Sequence, residues 1–85
     1  EYVDVVLFGD TFDEALQASF DFQKEKWATF VHPFDDEKVI EWQATVSLEI
    51  FEEIMPDYLI CPIGWGGFIS GQIVAKNFLN PKTKI

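Results

Sequence analysis

Residues 62–71 read PIGWGGFISG, which places a glycine-rich turn between an apolar run typical of a strand and an apolar run typical of a helix. Glycine lets the backbone approach an oxyanion closely, and the N–H groups of a first helical turn point at such an anion. This pattern predicts a phosphate-binding loop. Trp65 stands within it, and a bulky residue tolerates a positive φ poorly and takes up room that the anion needs.

The composition indicates one small folded domain covering residues 1–85. A chain of 85 residues hides only about 60 to 65% of its unfolded surface, but nine phenylalanines, three tryptophans and two tyrosines supply large apolar side chains. With 6 basic and 15 acidic residues the net charge is −9, which repels nucleic acid and anionic membranes. We therefore expect neither as a partner.

Cysteine and hydropathy indicate a cytoplasmic-type protein. Cys61 is the single cysteine, so the chain has no internal disulfide and no cysteine-rich zinc motif, and we expect a buried apolar thiol. No run approaches the roughly 20 apolar residues of a membrane span, and the N-terminus lacks signal-peptide order. Strand-like patterns at both ends suggest a piece of a longer chain.

Three helices are predicted from capping and periodicity. Thr11 and Glu14 have the spacing of a capping box, so the first helix should run from about Phe12 to Lys26. Asp35 or Asp36 caps a second helix, which Pro56 stops. The third follows the glycine loop and ends before residues 80 and 81.

Apolar, β-branched runs between these helices predict strands at residues 2–8, 29–32 and 57–62, with a further short strand at 82–85 left open. The order βαβαβα(β) predicts a three-layer α/β fold of the flavodoxin-like type. It would have a parallel sheet of three to four strands with helices on both faces. Ligands of such sheets bind at the carboxyl ends of the strands, where the glycine loop would lie.

The chain resembles threonine dehydratase, a fold-type-II pyridoxal phosphate enzyme related to serine racemase. The resemblance runs from Val5 to Ile85, and the matching pieces are residues 9–15 (GDTFDEA), 32–36 (HPFDD), Ile40 with Gln43 and Thr45, 48–50 (LEI), and 62–71. In that family the glycine-rich loop holds the cofactor phosphate. The resemblance therefore implies that phosphate contacts come from the backbone N–H groups of Gly64, Gly66, Gly67 and Phe68.

Two departures from the family shape the functional prediction. The family's Schiff-base lysine and substrate-carboxylate loop lie in an upstream segment that these 85 residues do not contain, and the six lysines present are expected on the surface. Trp27, Trp42 and Trp65 stand where the family usually has glycine. These exchanges favour an engineered or designed stand-alone domain in which large aromatics fill gaps and Trp65 blocks the phosphate loop.

Such a domain would have no catalytic residues, no activity and no cofactor of its own. The alternative is a residual fragment of a threonine or serine dehydratase that binds phosphate or pyridoxal phosphate and needs the lysine-bearing segment for deamination. The stand-alone domain requires no partner, although a homodimer or a domain swap stays open.

Other polar residues favour structural roles. Asp10 and Asp35 could meet at strand ends as a Mg²⁺ site, but a turn at Asp10 and helix capping at Asp35 are favoured. His32 precedes a proline without a second histidine or cysteine ligand nearby, so we interpret it as a turn residue. No metal site is predicted.

Overall fold

The computed structural model describes residues 2–85, and this part of the chain contains three α-helices. Helix α1 spans Phe12–Lys26, α2 spans Glu37–Glu53 and α3 spans Gly67–Leu79. The chain divides into two compact units, one reaching to Val31 and the other running from His32 to Ile85. Each unit is described separately below.

The predicted flavodoxin-like α/β fold is wrong, since residues 2–85 form no sheet. Their single β-bridge joins Tyr58 and Lys84 in parallel. Around it, the Leu59 N–H donates to the Lys84 carbonyl at 2.8 Å and the Lys84 N–H donates to the Asp57 carbonyl at 2.9 Å. The open strand at residues 82–85 thus amounts to one bridged residue.

The apolar runs that predicted strands have no regular structure over most of their length. Their side chains are largely exposed: Tyr2 is 103% exposed, Leu7 92% and Ile60 99%. β-Propensity expresses how well a side chain fits a half-buried sheet surface, whereas a strand also requires hydrogen bonds to a neighbouring strand. The apolar runs have high β-propensity, but among the described residues the Tyr58–Lys84 bridge is the only pairing between strand-like segments.

Helix α1 has the predicted bounds and a modified capping box. The Glu14 N–H donates to Thr11 Oγ1 at 3.3 Å, while Glu14 Oε2 accepts from the Asp10 N–H at 2.7 Å, one residue before the expected partner. The helix ends at Trp27, whose φ of 53° is left-handed. No residue of α1 is buried. Phe20 contacts Phe30 in the same unit, with ring centroids 4.6 Å apart.

The core of the second unit lies between α2 and α3. Asp36, one of the two predicted caps, begins α2 by accepting from the N–H groups of Lys38 and Val39 at 2.8 and 3.2 Å. Residues that are small or polar make up most of the buried contact: Ala44, Ser47 and Phe51 on α2, and Gly67, Gly71, Gln72 and Ala75 on α3. The helices therefore approach closely.

Gly71 shows how close that approach is. A methyl group on Gly71 would lie 2.6 Å from the Ala44 nitrogen and 2.7 Å from the Ile40 carbonyl oxygen. Both are backbone atoms that cannot move aside without shifting the helix. Glycine at this position is thus required by packing.

Buried polar groups in the second unit are satisfied by one another. Ser47 Oγ donates to Gln72 Oε1 at 2.5 Å, and Gln72 Nε2 donates to the Gln43 carbonyl at 2.6 Å. Thr83 is 1% exposed and donates from Oγ1 to the Pro56 carbonyl at 2.6 Å. The first two bonds connect α2 to α3, and the third connects Thr83 to Pro56, which follows α2. The buried side chains of Ser47, Gln72 and Thr83 thus all have hydrogen-bond partners.

Candidate phosphate-binding site

The glycine loop makes a tight turn before α3. The Gly66 N–H donates to the Ile63 carbonyl at 2.8 Å, and Gly64 and Gly66 have φ values of 52° and 96°. A methyl group on either glycine would meet no atom within 4 Å. These two glycines are therefore required by backbone conformation and leave open space around the turn.

The first turn of α3 presents backbone donors. Its N-cap, Gly66, makes no side-chain capping bond, and the Ser70 N–H donates to the Gly66 carbonyl at 3.0 Å as the first α-type bond of the helix. The N–H groups of Gly67, Phe68 and Ile69 precede it, so they have no partner within the helix. Together with the positive end of the helix dipole, they form a geometry suited to an anion.

The loop itself carries no charge that opposes an anion. The net charge of the chain is −9, but residues 62–70 contain no ionisable side chain. The nearest acidic residue before the loop in sequence is Asp57, and α3 after the loop contains none. Within the loop an anion therefore meets only backbone donors, while Asp35 and Asp36 follow Phe34, which lies against Gly67.

Gly67 has a packing role beside its proposed contact with phosphate. A methyl group on Gly67 would lie 2.9 Å from both Cβ and the carbonyl oxygen of Phe34. Phe34 thus lies directly against the first residue of α3. In the sequence Phe34 stood out only as part of the motif at 32–36. The i, i+4 spacing of Gly67 and Gly71 indicates a closely packed helix face, but it does not say which residue packs there.

Trp65 lies beside this contact. Its indole stacks on the Phe34 ring at a centroid distance of 5.6 Å and an interplanar angle of 15°, and 70% of the residue is exposed. Trp65 does not have a positive φ, because Trp27 is the only non-glycine residue in the described part of the chain that does. The backbone argument against Trp65 was therefore wrong, while obstruction by its ring stays a prediction.

The expectation that tryptophans fill gaps is also wrong. Trp27 is 94% exposed and Trp42 is 78% exposed, so neither indole fills a cavity. Cys61, which was expected to be buried, is half-buried.

His32 is a turn residue, as predicted. Its Nδ1 accepts from the Asp35 N–H at 2.9 Å and from the Phe34 N–H at 3.3 Å. The imidazole also meets the Phe34 ring edge to face, with centroids 4.5 Å apart. Because Asp36 caps α2, the capping role proposed for Asp35 belongs to its neighbour.

The described residues contain no cluster of metal ligands and one half-buried lysine. Within residues 2–85 no three His, Cys, Asp or Glu side chains are grouped so that they could hold a metal ion. Lys76 is the one half-buried lysine of this part, and its Nζ donates to the Pro81 carbonyl at 3.3 Å. Lys76 follows Gly67 by nine residues, which is about 14 Å along a helix.

Comparison with known proteins identifies the family. The family of pyridoxal-phosphate dependent enzymes matches residues 3–85, so the chain belongs to it. The chain is 44% identical to the biosynthetic L-threonine dehydratase of Halalkalibacterium halodurans over its whole length, and 46% identical to the L-threonine ammonia-lyase of Thermotoga maritima over 95% of it. It is 39% identical to the catabolic L-threonine dehydratase of Escherichia coli K12 over 96% of it.

These relatives are much longer than the chain. The aligned part covers 21% of the Halalkalibacterium protein, 20% of the Thermotoga protein and 25% of the Escherichia coli protein, so the chain resembles a fragment of a threonine dehydratase. Such identity to natural enzymes along the chain gives no support to the expected design origin, and that expectation is withdrawn. No solved structure matches the chain. In the described part, none of the helices combines the length and apolar character needed to cross a membrane.

Proposed function

We propose that this chain supplies the phosphate-binding loop of a pyridoxal-phosphate dependent threonine ammonia-lyase. The observation that carries the proposal is the start of α3, where the N–H groups of Gly67 and Phe68 follow the uncapped, left-handed Gly66. Family membership and the named relatives support the choice of cofactor and substrate class. In this proposal the phosphate contacts come from the backbone N–H groups of Gly64, Gly67 and Phe68. The Gly66 N–H, which the resemblance also implied, donates to the Ile63 carbonyl at 2.8 Å instead.

The residues fit a phosphate group. The oxygens of a phosphate group can accept hydrogen bonds from backbone N–H groups of the glycine loop and of the first turn of α3. Because Gly64 and Gly66 have no side chains and open space around them, these N–H groups are accessible. Gly67 is held against Phe34, which fixes the direction of the first N–H groups. Preorganised donors of this kind bind an anion without reorganising.

Pyridoxal phosphate, when bound, supplies an electron sink for chemistry at the substrate's α-carbon. The chain's own contribution is to hold the phosphate and so orient the ring from one end. The Phe34–Trp65 stack lies beside the donors, where it limits the approach of water and of ligands. In this role Trp65 restricts entry to the loop.

We further propose that the 85 residues alone do not deaminate threonine. Apart from Lys76, the lysines of the described part are exposed; Lys26 pairs with Glu25 at 3.0 Å, and Lys84 lies 5.7 Å from the Tyr58 ring centroid. None of these contacts directs an amine at the loop. An assay of 2-oxobutanoate release by the purified chain with pyridoxal phosphate tests this part, and turnover above that of free cofactor would contradict it.

Phosphate binding is tested by titrating the chain with inorganic phosphate at pH 8 while following backbone amide signals by NMR. We expect saturable shifts concentrated at residues 64–69. Gly64→Asp and Gly64→Asn form a matched pair, because both side chains tolerate the left-handed region and Gly64 has open space. The aspartate should weaken binding by about tenfold or more through repulsion, and the asparagine should change it little.

Equal phosphate affinity in the Gly64→Asp and Gly64→Asn variants would place the anion elsewhere. Shifts spread over the whole chain, or no saturable shifts in the unmodified chain, would contradict the proposal.

Obstruction by Trp65 is tested with Trp65→Gly, with Trp65→Phe as the control that keeps a stacking ring. If the indole restricts entry, the glycine variant should bind phosphate at least threefold more tightly than the unmodified chain, and a threefold gain corresponds to about 0.7 kcal/mol. Weaker binding by the glycine variant would show that the indole instead supports the loop.

A further inference from the structure

Gln72 places a side-chain amide in the buried contact between α2 and α3. The residue is 1% exposed, and Ser47, its partner on α2, is fully buried. Ser47 Oγ donates to Gln72 Oε1 at 2.5 Å. Gln72 Nε2 donates to the Gln43 carbonyl at 2.6 Å and to the Phe68 carbonyl at 3.2 Å. The amide thus joins two groups of α2 to one group in the first turn of α3.

The orientation of the Gln72 amide follows from these partners. Exchanging Oε1 and Nε2 would set an oxygen against two carbonyl oxygens, none of which can donate a hydrogen bond. Both carbonyls belong to helices, where each accepts the backbone N–H four residues further along the chain. A carbonyl oxygen can accept two hydrogen bonds, so Gln72 adds a bond to each without displacing the helical one.

The bond to the Phe68 carbonyl acts on one of the open donors of the glycine loop. The Phe68 carbonyl and the Ile69 N–H belong to the same planar peptide unit. The Ile69 N–H precedes the first α-type bond of α3, which joins Ser70 to Gly66, so it has no partner within the helix. A hydrogen bond to the carbonyl oxygen polarises the peptide unit and makes its N–H a stronger donor. It also fixes the plane of the peptide, and with it the direction of the N–H.

We propose that Gln72 is a positioning residue of the phosphate-binding loop, which holds the peptide unit between Phe68 and Ile69 and makes the Ile69 N–H a further donor to the bound anion. Ser47 and the Gln43 carbonyl orient the Gln72 amide from α2. Donors that are fixed before the ligand arrives bind an anion without reorganising. The role in binding rests on the proposed function, whereas the effect on the Ile69 N–H is present without a ligand.

Three variants separate this role from the stability that the same amide provides. Gln72→Met keeps an unbranched side chain of similar length but has no donor. Ser47→Ala removes the bond to Oε1 and leaves both carbonyl bonds of Gln72 in place. The double variant also lacks the donor, but it leaves no buried hydroxyl without an acceptor. It should therefore resist urea better than Gln72→Met does.

The first readout is the Ile69 amide proton signal in the NMR spectrum of the chain without phosphate. The signal should move upfield in Gln72→Met and in the double variant, because the peptide unit is less polarised. It should keep its position in Ser47→Ala. An Ile69 signal that stays in place in Gln72→Met, or that moves as far in Ser47→Ala, would overturn the effect of Gln72 on this donor.

Binding of inorganic phosphate at pH 8 gives the second readout. Gln72→Met and the double variant should bind about threefold or more weakly than the unmodified chain, and Ser47→Ala should bind about as well. A residue that only stabilised the fold would let affinity return together with stability in the double variant, and that result would overturn the positioning role.

The failure of this role and the failure of the phosphate site give different results. Equal affinity of Gln72→Met and the unmodified chain would overturn the role of Gln72 and leave the site standing. No saturable binding by the unmodified chain would contradict the proposed function and the role in binding with it. The Ile69 signal then still decides whether Gln72 polarises that donor.

Discussion

Helix α1 differs from helices α2 and α3 in how many of its residues are buried. All three helices have apolar residues at helical spacing, but α1 has no buried residue, whereas α3 buries four of its thirteen. The difference lies in small side chains. Gly67, Gly71 and Ala75 recur every four residues on α3. Gly71 lies against the backbone of α2, and Gly67 lies against Phe34 just before α2.

This comparison shows that an apolar stripe does not by itself create a core. Large side chains on α1, such as Phe12 and Phe22, remain 41% and 53% exposed. Close backbone approach removes both helix surfaces from water over the contact and gives dense packing. Changes in the second unit should therefore cost more stability than equivalent changes in the first.

The largest effect is expected from Gly71→Ala. The new methyl group would lie 2.6 Å from a backbone nitrogen of α2, so the helices must separate. We expect a net loss of about 2 to 3 kcal/mol in the free energy of unfolding, despite the better helix propensity of alanine. Urea denaturation followed by circular dichroism measures it.

Asn77→Ala on the exposed side of α3 is the control for Gly71→Ala, and it should stabilise the protein slightly through helix propensity. A Gly71→Ala variant as stable as the unmodified chain would show that the close approach of α2 and α3 does not exist in solution.

A smaller loss is expected from Gln72→Leu. This change removes the bonds to Ser47 Oγ and to the Gln43 carbonyl, and it leaves the buried Ser47 hydroxyl without its acceptor. The cost should be about 2 kcal/mol. Adding Ser47→Ala should recover part of it, since both polar partners are then absent, and the double-mutant cycle in urea gives the coupling energy. Additive losses would contradict a direct Ser47–Gln72 bond.

The smallest effects are expected from replacing one exposed tryptophan by glycine in each of the two units. Trp27→Gly replaces an exposed residue at φ 53°, where glycine is favoured, and should stabilise the end of α1 by about 0.5 to 1 kcal/mol. Trp42→Gly is made within α2 and should destabilise it by about 0.5 to 1 kcal/mol. Amide hydrogen exchange in α1 and α2 measures both, and effects of equal sign would contradict the assigned backbone conformations.

Local signals in the sequence predicted the helices well. The Thr11 and Glu14 spacing placed α1 at its observed bounds, and an aspartate before Glu37 capped α2 as expected. Capping and periodicity act over three to four residues, so they can be read without knowing the rest of the fold. Strand pairing depends on hydrogen bonds between distant segments. The apolar runs at residues 2–8 and 57–62 therefore did not indicate that most of their length pairs with no neighbouring strand.

The candidate site was predicted in part. The glycine loop and its position at the start of a helix followed from residues 62–71, and the structure adds that Gly64 and Gly66 have left-handed conformations. The contacts of Phe34 with Gly67 and Trp65 join residues more than thirty positions apart, so no local pattern could give them. The phosphate contacts themselves stay a proposal.

The sequence by itself determined the helices, their caps, the turn before α3 and the resemblance to threonine dehydratases, because each depends on neighbouring residues or on motifs read along the chain. Only the tertiary structure decided that Gly71 serves helix contact, that Phe34 lies against Gly67, and that the apolar runs form no sheet. The physical reason is that packing distances and inter-segment hydrogen bonds depend on which distant residues meet in space.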